Sequence, residues 1–144
     1  MTTRVSYNLK DALLIKETAL PNSGTIYSDA FDLECIGQRG VRIDPFELLI
    51  TAPAADASEL PNNARNTFYF QFCDDPEFVP ANVRTITGGT SGIMWRQDGS
   101  AEGAEEYELR FRTATDAPRY VRAMCVVSGN AAQEGKTFQF AIVT

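Results

Sequence analysis

The stretch Glu106-Tyr107-Glu108-Leu109-Arg110-Phe111-Arg112 alternates charged with aromatic or aliphatic side chains without a break. Successive side chains of an extended chain point to opposite sides, so one face of this run meets a core and the other meets water. It predicts a half-buried strand. The same period recurs on either side of it: Phe68, Phe70 and Phe72 alternate with Tyr69, Gln71 and Cys73, and Phe138, Phe140 and Ile142 alternate with Thr137, Gln139 and Ala141. Residues 25–33, 46–52, 83–87, 92–96 and 119–128 are rich in β-branched or aromatic residues and bounded by turn formers, which brings the expectation to about eight strands.

Between these runs lie Pro21-Asn22-Ser23-Gly24, Gly37-Gln38-Arg39-Gly40, Gly88-Gly89-Thr90-Ser91-Gly92, Asp98-Gly99-Ser100 and Gly129-Asn130, all suited to tight reversals. Many short strands punctuated in this way predict an all-β antiparallel sandwich over residues 21–144. Helix formers without a breaker occur only over residues 9–18, and residues 1–20 are expected to form an N-terminal arm in which Leu13-Leu14-Ile15 can act as an edge strand. The connection over residues 53–66 has no apolar periodicity and, at about fourteen residues, is of a length that marks functional or mobile loops.

A chain of 144 residues is expected to form one domain, and 44% hydrophobic residues fill one core. Thirteen basic against nineteen acidic side chains give a net charge of −6, the wrong sign for holding nucleic acid through its phosphates. With no histidine, Ser-His-Asp, Cys-His and histidine-based zinc chemistry are excluded. No apolar run approaches the ~18 residues of a membrane helix, and Met1-Thr2-Thr3-Arg4-Val5-Ser6 lacks the apolar stretch of a secretion signal, so a soluble product made in a cytoplasm is expected. Cys35, Cys73 and Cys125 form no C-x-x-C pair and are expected as buried, reduced thiols.

Several groups invite a chemical reading. Asp74, Asp75 and Glu77 can offer oxygen ligands to calcium, but the spacing fits no EF-hand loop, and a turn fixed by Pro76 with Asp74 capping backbone donors explains the same residues. Glu105 with Glu106, or Glu102 with Glu108, resemble the carboxylate pair of a glycosidase, yet Glu106 and Glu108 fall on the outward face of a regular strand beside Arg110 and Arg112. The glycine-rich run at 88–92 lacks the Lys-Ser/Thr ending of a phosphate loop. Met94, Trp95 and Arg96 are a trio of types enriched at protein interfaces, against the alternative of a core tryptophan. Ten arginines against three lysines favour protein contact surfaces, because the planar guanidinium pairs bidentately with carboxylates.

The order of segments resembles the capsid cement, or head decoration, proteins of tailed bacteriophages of jelly-roll type. Asp11-Ala12-Leu13-Leu14 looks like that family's opening segment, Phe31-Asp32-Leu33 like the end of its first strand, and Phe70-Gln71-Phe72-Cys73-Asp74-Asp75-Pro76-Glu77-Phe78 like its central strand and acidic turn. Arg119-Tyr120-Val121-Arg122 is similar to its Arg-Tyr-aliphatic-Arg opening, and Gly135-Lys136 with Phe138 and Ala141-Ile142-Val143 resembles its closing strand. The resemblance implies an eight-stranded antiparallel jelly-roll β-sandwich with an N-terminal arm. It further implies a protein without catalysis or cofactor that sits on the outside of an icosahedral head and bridges subunits of the major capsid protein. On that reading the chain also associates with itself as a dimer or trimer, binds neither nucleic acid nor membrane, and is found in the host cytoplasm during assembly.

The expected contact elements are the arm at Asp11, Leu13, Leu14 and Ile15, the loop around residues 56–65 ending at Arg65, and the corner at Met94, Trp95 and Arg96. The competing reading is a carbohydrate-binding sandwich in which Trp95, Tyr107 or Tyr120 stacks on sugar rings.

Overall fold

The computed structural model describes residues 15–33, 47–86, 95–113 and 117–143, and ten strands run through them. In chain order these are β1 (Ile15–Ala19), β2 (Gly24–Tyr27), β3 (Phe31–Asp32), β4 (Glu47–Ala52), β5 (Arg65–Cys73), β6 (Arg84–Ile86), β7 (Trp95–Asp98), β8 (Tyr107–Arg112), β9 (Tyr120–Ser128) and β10 (Thr137–Val143). They form two antiparallel sheets, the first in the order β1-β10-β4-β8 and the second in the order β2-β9-β5-β6, with β3 also on β9 and β7 also on β5. The molecule is an all-β sandwich.

The count is ten strands where eight were expected, and two local causes account for the difference. Ile15–Ala19, placed in the arm by its sequence, pairs along its whole length with β10 and is an edge strand of the first sheet. Its sequence, IKETA, hides this because an edge strand exposed at Ile15, Glu17 and Ala19 needs little apolar content. The expected strand at 25–33 is divided: β2 and β3 lie on one edge of β9, but three residues separate Tyr27 from Phe31 where two separate Met124 from Val121. That is the one-residue surplus of a β-bulge. Ser28 fills the break, since its N–H donates to the Ala123 carbonyl at 2.9 Å while its Oγ accepts the Ala123 N–H at 2.8 Å.

The run that reads most clearly in sequence behaves as expected. In β8, Leu109 is buried, Tyr107 and Phe111 are half-buried, and Glu108, Arg110 and Arg112 face water. Arg110 pairs with Glu108 along the strand and with Glu47 across it, and these carboxylates hold its pKa above the usual arginine value. The inward positions interlock across the sandwich. Phe68 and Phe70 of β5 meet Phe138, Phe140, Tyr107 and Phe111 of the first sheet at ring separations of 5.5–5.9 Å. Each such ring pair adds roughly 0.5–1.5 kcal/mol beyond the area it buries. Cys73 and Cys125 are buried free thiols, in line with the sequence reading; Cys35 lies outside the described residues.

One end of the sandwich is tied together by buried amides. Asn66 donates to Gln97 Oε1 and to Gln133 Oε1, both at 2.9 Å, and its own Oδ1 accepts from Gln133 Nε2 at 2.9 Å. Gln97 reaches on to the carbonyls of Pro53 and Glu105, and Gln133 to that of Pro21. Four connections, β1–β2, β4–β5, β7–β8 and β9–β10, are thereby drawn onto three side chains.

The long loop at 53–66 belongs to this end and is closely held. Ala55 exchanges backbone hydrogen bonds with Ala104, Leu60 is fully buried, and the Ala132 N–H donates to the Glu59 carbonyl. Asp56 accepts from Ser58 Oγ and from the N–H groups of Ser58 and Glu59, which together hold its carboxyl below the usual range. Gly129, at φ +83°, presses its backbone against Asn63 and Ala64, where a Cβ would overlap main-chain atoms.

Candidate functional site

The second sheet has an outward face as well ordered as its inward one. Along β9 the side chains of Val121, Ala123, Cys125 and Val127 point into the core, so Tyr120, Arg122, Met124 and Val126 point out. Register places Gln71, Tyr69 and Thr67 of β5 directly opposite Arg122, Met124 and Val126. Tyr27 of β2 stands on the other side of Met124, and Arg96 of β7 stands beyond Thr67. The face is a platform of tyrosine, methionine and arginine.

Arg122 is its most constrained member. Its guanidinium lies 3.9 Å from the centre of the Tyr27 ring and 4.1 Å from that of Phe78, and its Nε donates to Gln71 Oε1 at 2.9 Å. Gln71 is held in turn, its Nε2 donating to Thr85 Oγ1 at 3.1 Å and to the Met124 sulfur at 3.5 Å. Burial between the rings pushes the Arg122 pKa down from the usual arginine value. Stacking of a desolvated guanidinium on aromatic faces is worth about 2 kcal/mol.

Phe78 reaches Arg122 because the β5–β6 connection folds back over the sheet. It is 5% exposed and sits at φ +50°, a left-handed conformation that a bulky residue adopts only under constraint. The constraint is Asp75. Its carboxylate accepts the N–H groups of Val79 and Glu77, each at 3.0 Å, and those bonds hold it below the usual carboxylate range. Asp75, rather than the expected Asp74, therefore caps the acidic turn, and Asp74 instead accepts the Arg119 N–H at 3.2 Å. Each Asp75 oxygen is thereby taken up by a backbone donor. Among the described residues no group of three or more Cys, Asp or Glu side chains is arranged to hold a metal ion.

Arg65 and Arg96, expected as contact residues from two separate segments, come together at the other end of the same face. Both lean on Asp98, at 3.7 Å and 3.3 Å, with all three side chains about half exposed. Trp95, next in sequence to Arg96, points the opposite way and packs edge-on against Phe70 and Phe111 at 5.5 Å and 5.9 Å. Ile15 is 39% exposed but lies on the outer side of the first sheet, opposite Ala141. Asp11, Leu13, Leu14 and Met94 lie outside the described residues.

Tyr27, Tyr69 and Met124 were not singled out by sequence, and Arg122 entered only through the resemblance. The available signal was the alternation in residues 120–128, which puts Arg122, Met124 and Val126 on one face. The aromatic residues expected of a sugar site are engaged elsewhere. Tyr107 stacks on Phe68 at 5.9 Å, and burial raises its pKa, while the Tyr120 ring lies beneath the Arg119 guanidinium at 5.1 Å. Between the sheets, at their β6 and β8 margins, a cleft of about 70 Å³ is lined by Phe72, Ile86, Phe111 and Pro118 among others.

No protein-family model matches the chain, and no curated protein does. Among solved structures it is similar to the crystal structure of PirA, with 13% identity over 90% of this chain and 94% of that one and a TM-score of 0.43. It is also similar to a chain of the Cowpea mosaic virus top component, with 11% identity over 90% and 80% of the two chains and a TM-score of 0.41. A third similarity is to the CBM22-1 xylan-binding domain of Paenibacillus barcinonensis Xyn10C, with 7% identity over 89% and 71% and a TM-score of 0.43.

Proposed function

We propose that the chain is a decoration protein of a tailed-bacteriophage head, a rigid clamp that lies on the outer capsid surface and bridges neighbouring subunits of the major capsid protein. The observation that carries this reading is the outward face of the second sheet. Tyrosine, methionine and arginine are the types enriched where proteins meet, and here they are fixed in place by register, stacking and amide hydrogen bonds. A preorganised face loses little side-chain entropy on docking.

The proposed wrap is that of a jelly roll. Counting β2 with β3 on one edge of β9, and β6 with β7 on one edge of β5, reduces ten strands to eight positions, four in each sheet. The activity is mechanical and not catalytic. Dimers or trimers of such clamps hold several capsid subunits at once, and effective concentration multiplies contacts that are individually weak.

The test mixes purified protein with undecorated heads and measures co-sedimentation and the temperature of head rupture. Co-sedimentation with a raised rupture temperature is the expected result; no co-sedimentation at any protein concentration refutes the proposal. The sugar-binding reading is favoured by one observation, that Tyr27 is 44% exposed on this face. A glycan array separates the two, because a stacking platform gives signal as an isolated domain and a capsid clamp gives none.

A further inference from the structure

The first sheet ends in an edge whose sequence is complementary to itself. Among the described residues β8 pairs with β4 on one side and with no strand on the other. Along this edge the chain reads Glu106-Tyr107-Glu108-Leu109-Arg110-Phe111-Arg112, with both acids before Leu109 and both bases after it. The four charged side chains are exposed, Leu109 is buried, and Tyr107 and Phe111 are half-buried. Turned end for end about Leu109, the run meets its own copy with Glu106 opposite Arg112, Glu108 opposite Arg110 and Tyr107 opposite Phe111. Opposite charges directly across a strand pair attract, and like charges repel.

Other registers lose this match. Sliding by two residues sets Arg110 against Arg110 or Glu108 against Glu108, sliding by one sets charged side chains against apolar ones, and a parallel pairing lays acid on acid. The remaining edges lack the property. β1, on the opposite margin of the same sheet, is five residues long and would bring Glu17 against Glu17 about its middle. β2, β3, β6 and β7, at the margins of the second sheet, have two to four residues each, the short edges that resist pairing.

Net charge is not what selects the partner. Glu47, Glu105, Glu106 and Glu108 outnumber Arg110 and Arg112 here, and the whole chain carries −6. At physiological salt, however, charges more than about 8 Å apart are largely screened, so the pairs in contact decide. The outer pair is open for this: Glu47 stands opposite Arg112 but bonds to Arg110, and neither Glu106 nor Arg112 makes a salt bridge among the described residues.

We infer that the partner of the β8 edge is a second copy of this chain, paired antiparallel over residues 106–112 with a two-fold axis at Leu109. Main-chain hydrogen bonds along the strand supply the attachment, and the charges supply the register. Such an axis stands perpendicular to the sheet, so the two first sheets join into one continuous sheet and both second sheets lie on the same side of it. The inference rests on the capsid reading only for the use of the pair: it selects the dimer over the trimer and gives the clamp two tyrosine, methionine and arginine platforms facing one way.

Sedimentation of the purified chain over a concentration series tests this, with Glu106→Arg, Arg112→Glu and the two changes combined. Wild type should pass from one chain to two and no further. Each single change sets like charges against each other at both ends of the pair and should weaken association about tenfold. The combined change restores opposite charges and should restore pairing, as should an equimolar mixture of the two single variants. A wild-type chain that stays single or grows past two overturns the inference, as do single variants that pair like wild type or a mixture that pairs no better than its components. The substituted side chains are exposed, and melting curves of each variant separate lost pairing from lost folding. Undecorated heads keep the two readings apart: pairing in solution without capture by heads overturns the capsid reading alone, and capture of a chain that never pairs overturns this inference alone.

Discussion

Replacing Asn66 with alanine is expected to unfasten one end of the sandwich. The side chain is fully buried and makes three amide hydrogen bonds at 2.9 Å, two donated and one accepted. Truncation strands the Oε1 atoms of Gln97 and Gln133, which are 4% and 1% exposed. Gln97 keeps its donations to Pro53 and Glu105, and Gln133 keeps a longer one to Pro21 at 3.2 Å. Two buried acceptors left without donors cost about 1–3 kcal/mol each, so a loss of about 4 kcal/mol is expected. With an unfolding entropy of about 0.3 kcal/mol/K for a chain of this length, the midpoint should fall by about 13 °C. The assay is thermal unfolding followed by circular dichroism, paired with hydrogen exchange. Exchange should quicken in residues 20–23, 53–64, 99–106 and 129–136 and stay slow in β5 and β9 away from the site. A midpoint within about 2 °C of wild type, or uniform exchange changes, refutes the idea that these amides hold the four connections together.

Three further outcomes follow from the same structure. Gly129→Ala, which forces a Cβ into Asn63 and Ala64 at φ +83°, should destabilise by about 2–4 kcal/mol. Gly135→Ala, at φ +82° with open space around it, should lose only about 1 kcal/mol, and denaturant titration of the two gives the part due to close packing. Burial pushes the Cys125 thiol up to about 12 from 9.0, so the unfolded chain ionises first on raising the pH. The corresponding stability is whole below pH 9 and should decline towards pH 12 by about 1.4 kcal/mol per unit, a slope absent from Cys125→Ala in denaturant titrations across that range. Asp75→Ala should release Phe78 from the Arg122 stack, seen as a change in the near-ultraviolet dichroism. Because the Asp75 pKa is lowered from 3.8, its contribution is present above that pH and lost as acid is added, so the variant should have a flatter acid limb than wild type.

What could be read from the sequence follows from where each signal resides. The strands at 107–112, 65–73 and 137–143 announce themselves because period-two patterning and aromatic content agree there. β1 did not, because Lys16, Glu17 and Ala19 have low strand propensity and the pairing with β10 supplies what local sequence lacks. The division of residues 25–33 is set by the partner strand, since a bulge exists only relative to β9. The buried amides were illegible for a similar reason: glutamine is ordinarily a surface residue, and Gln97 and Gln133 are inside only because Asn66 answers them. Arg65 and Arg96 were expected as contact residues, but their meeting over Asp98 depends on β5–β7 register. The outward row of Tyr27, Met124 and Tyr69 draws on three strands and becomes visible only when β9 is seen to pair with both β2 and β5.

The way β6 and β7 share one margin of β5 bears on how this protein can change. Ile86 lies opposite Phe70, and when the chain returns at Trp95 it lies opposite Phe68, so the ladder resumes almost where it stopped. Each half is anchored to β5 through its own pairs. Because each half holds its own partners on β5, one ladder can open while the other stays closed, so this margin of the sheet can come apart in two steps rather than one.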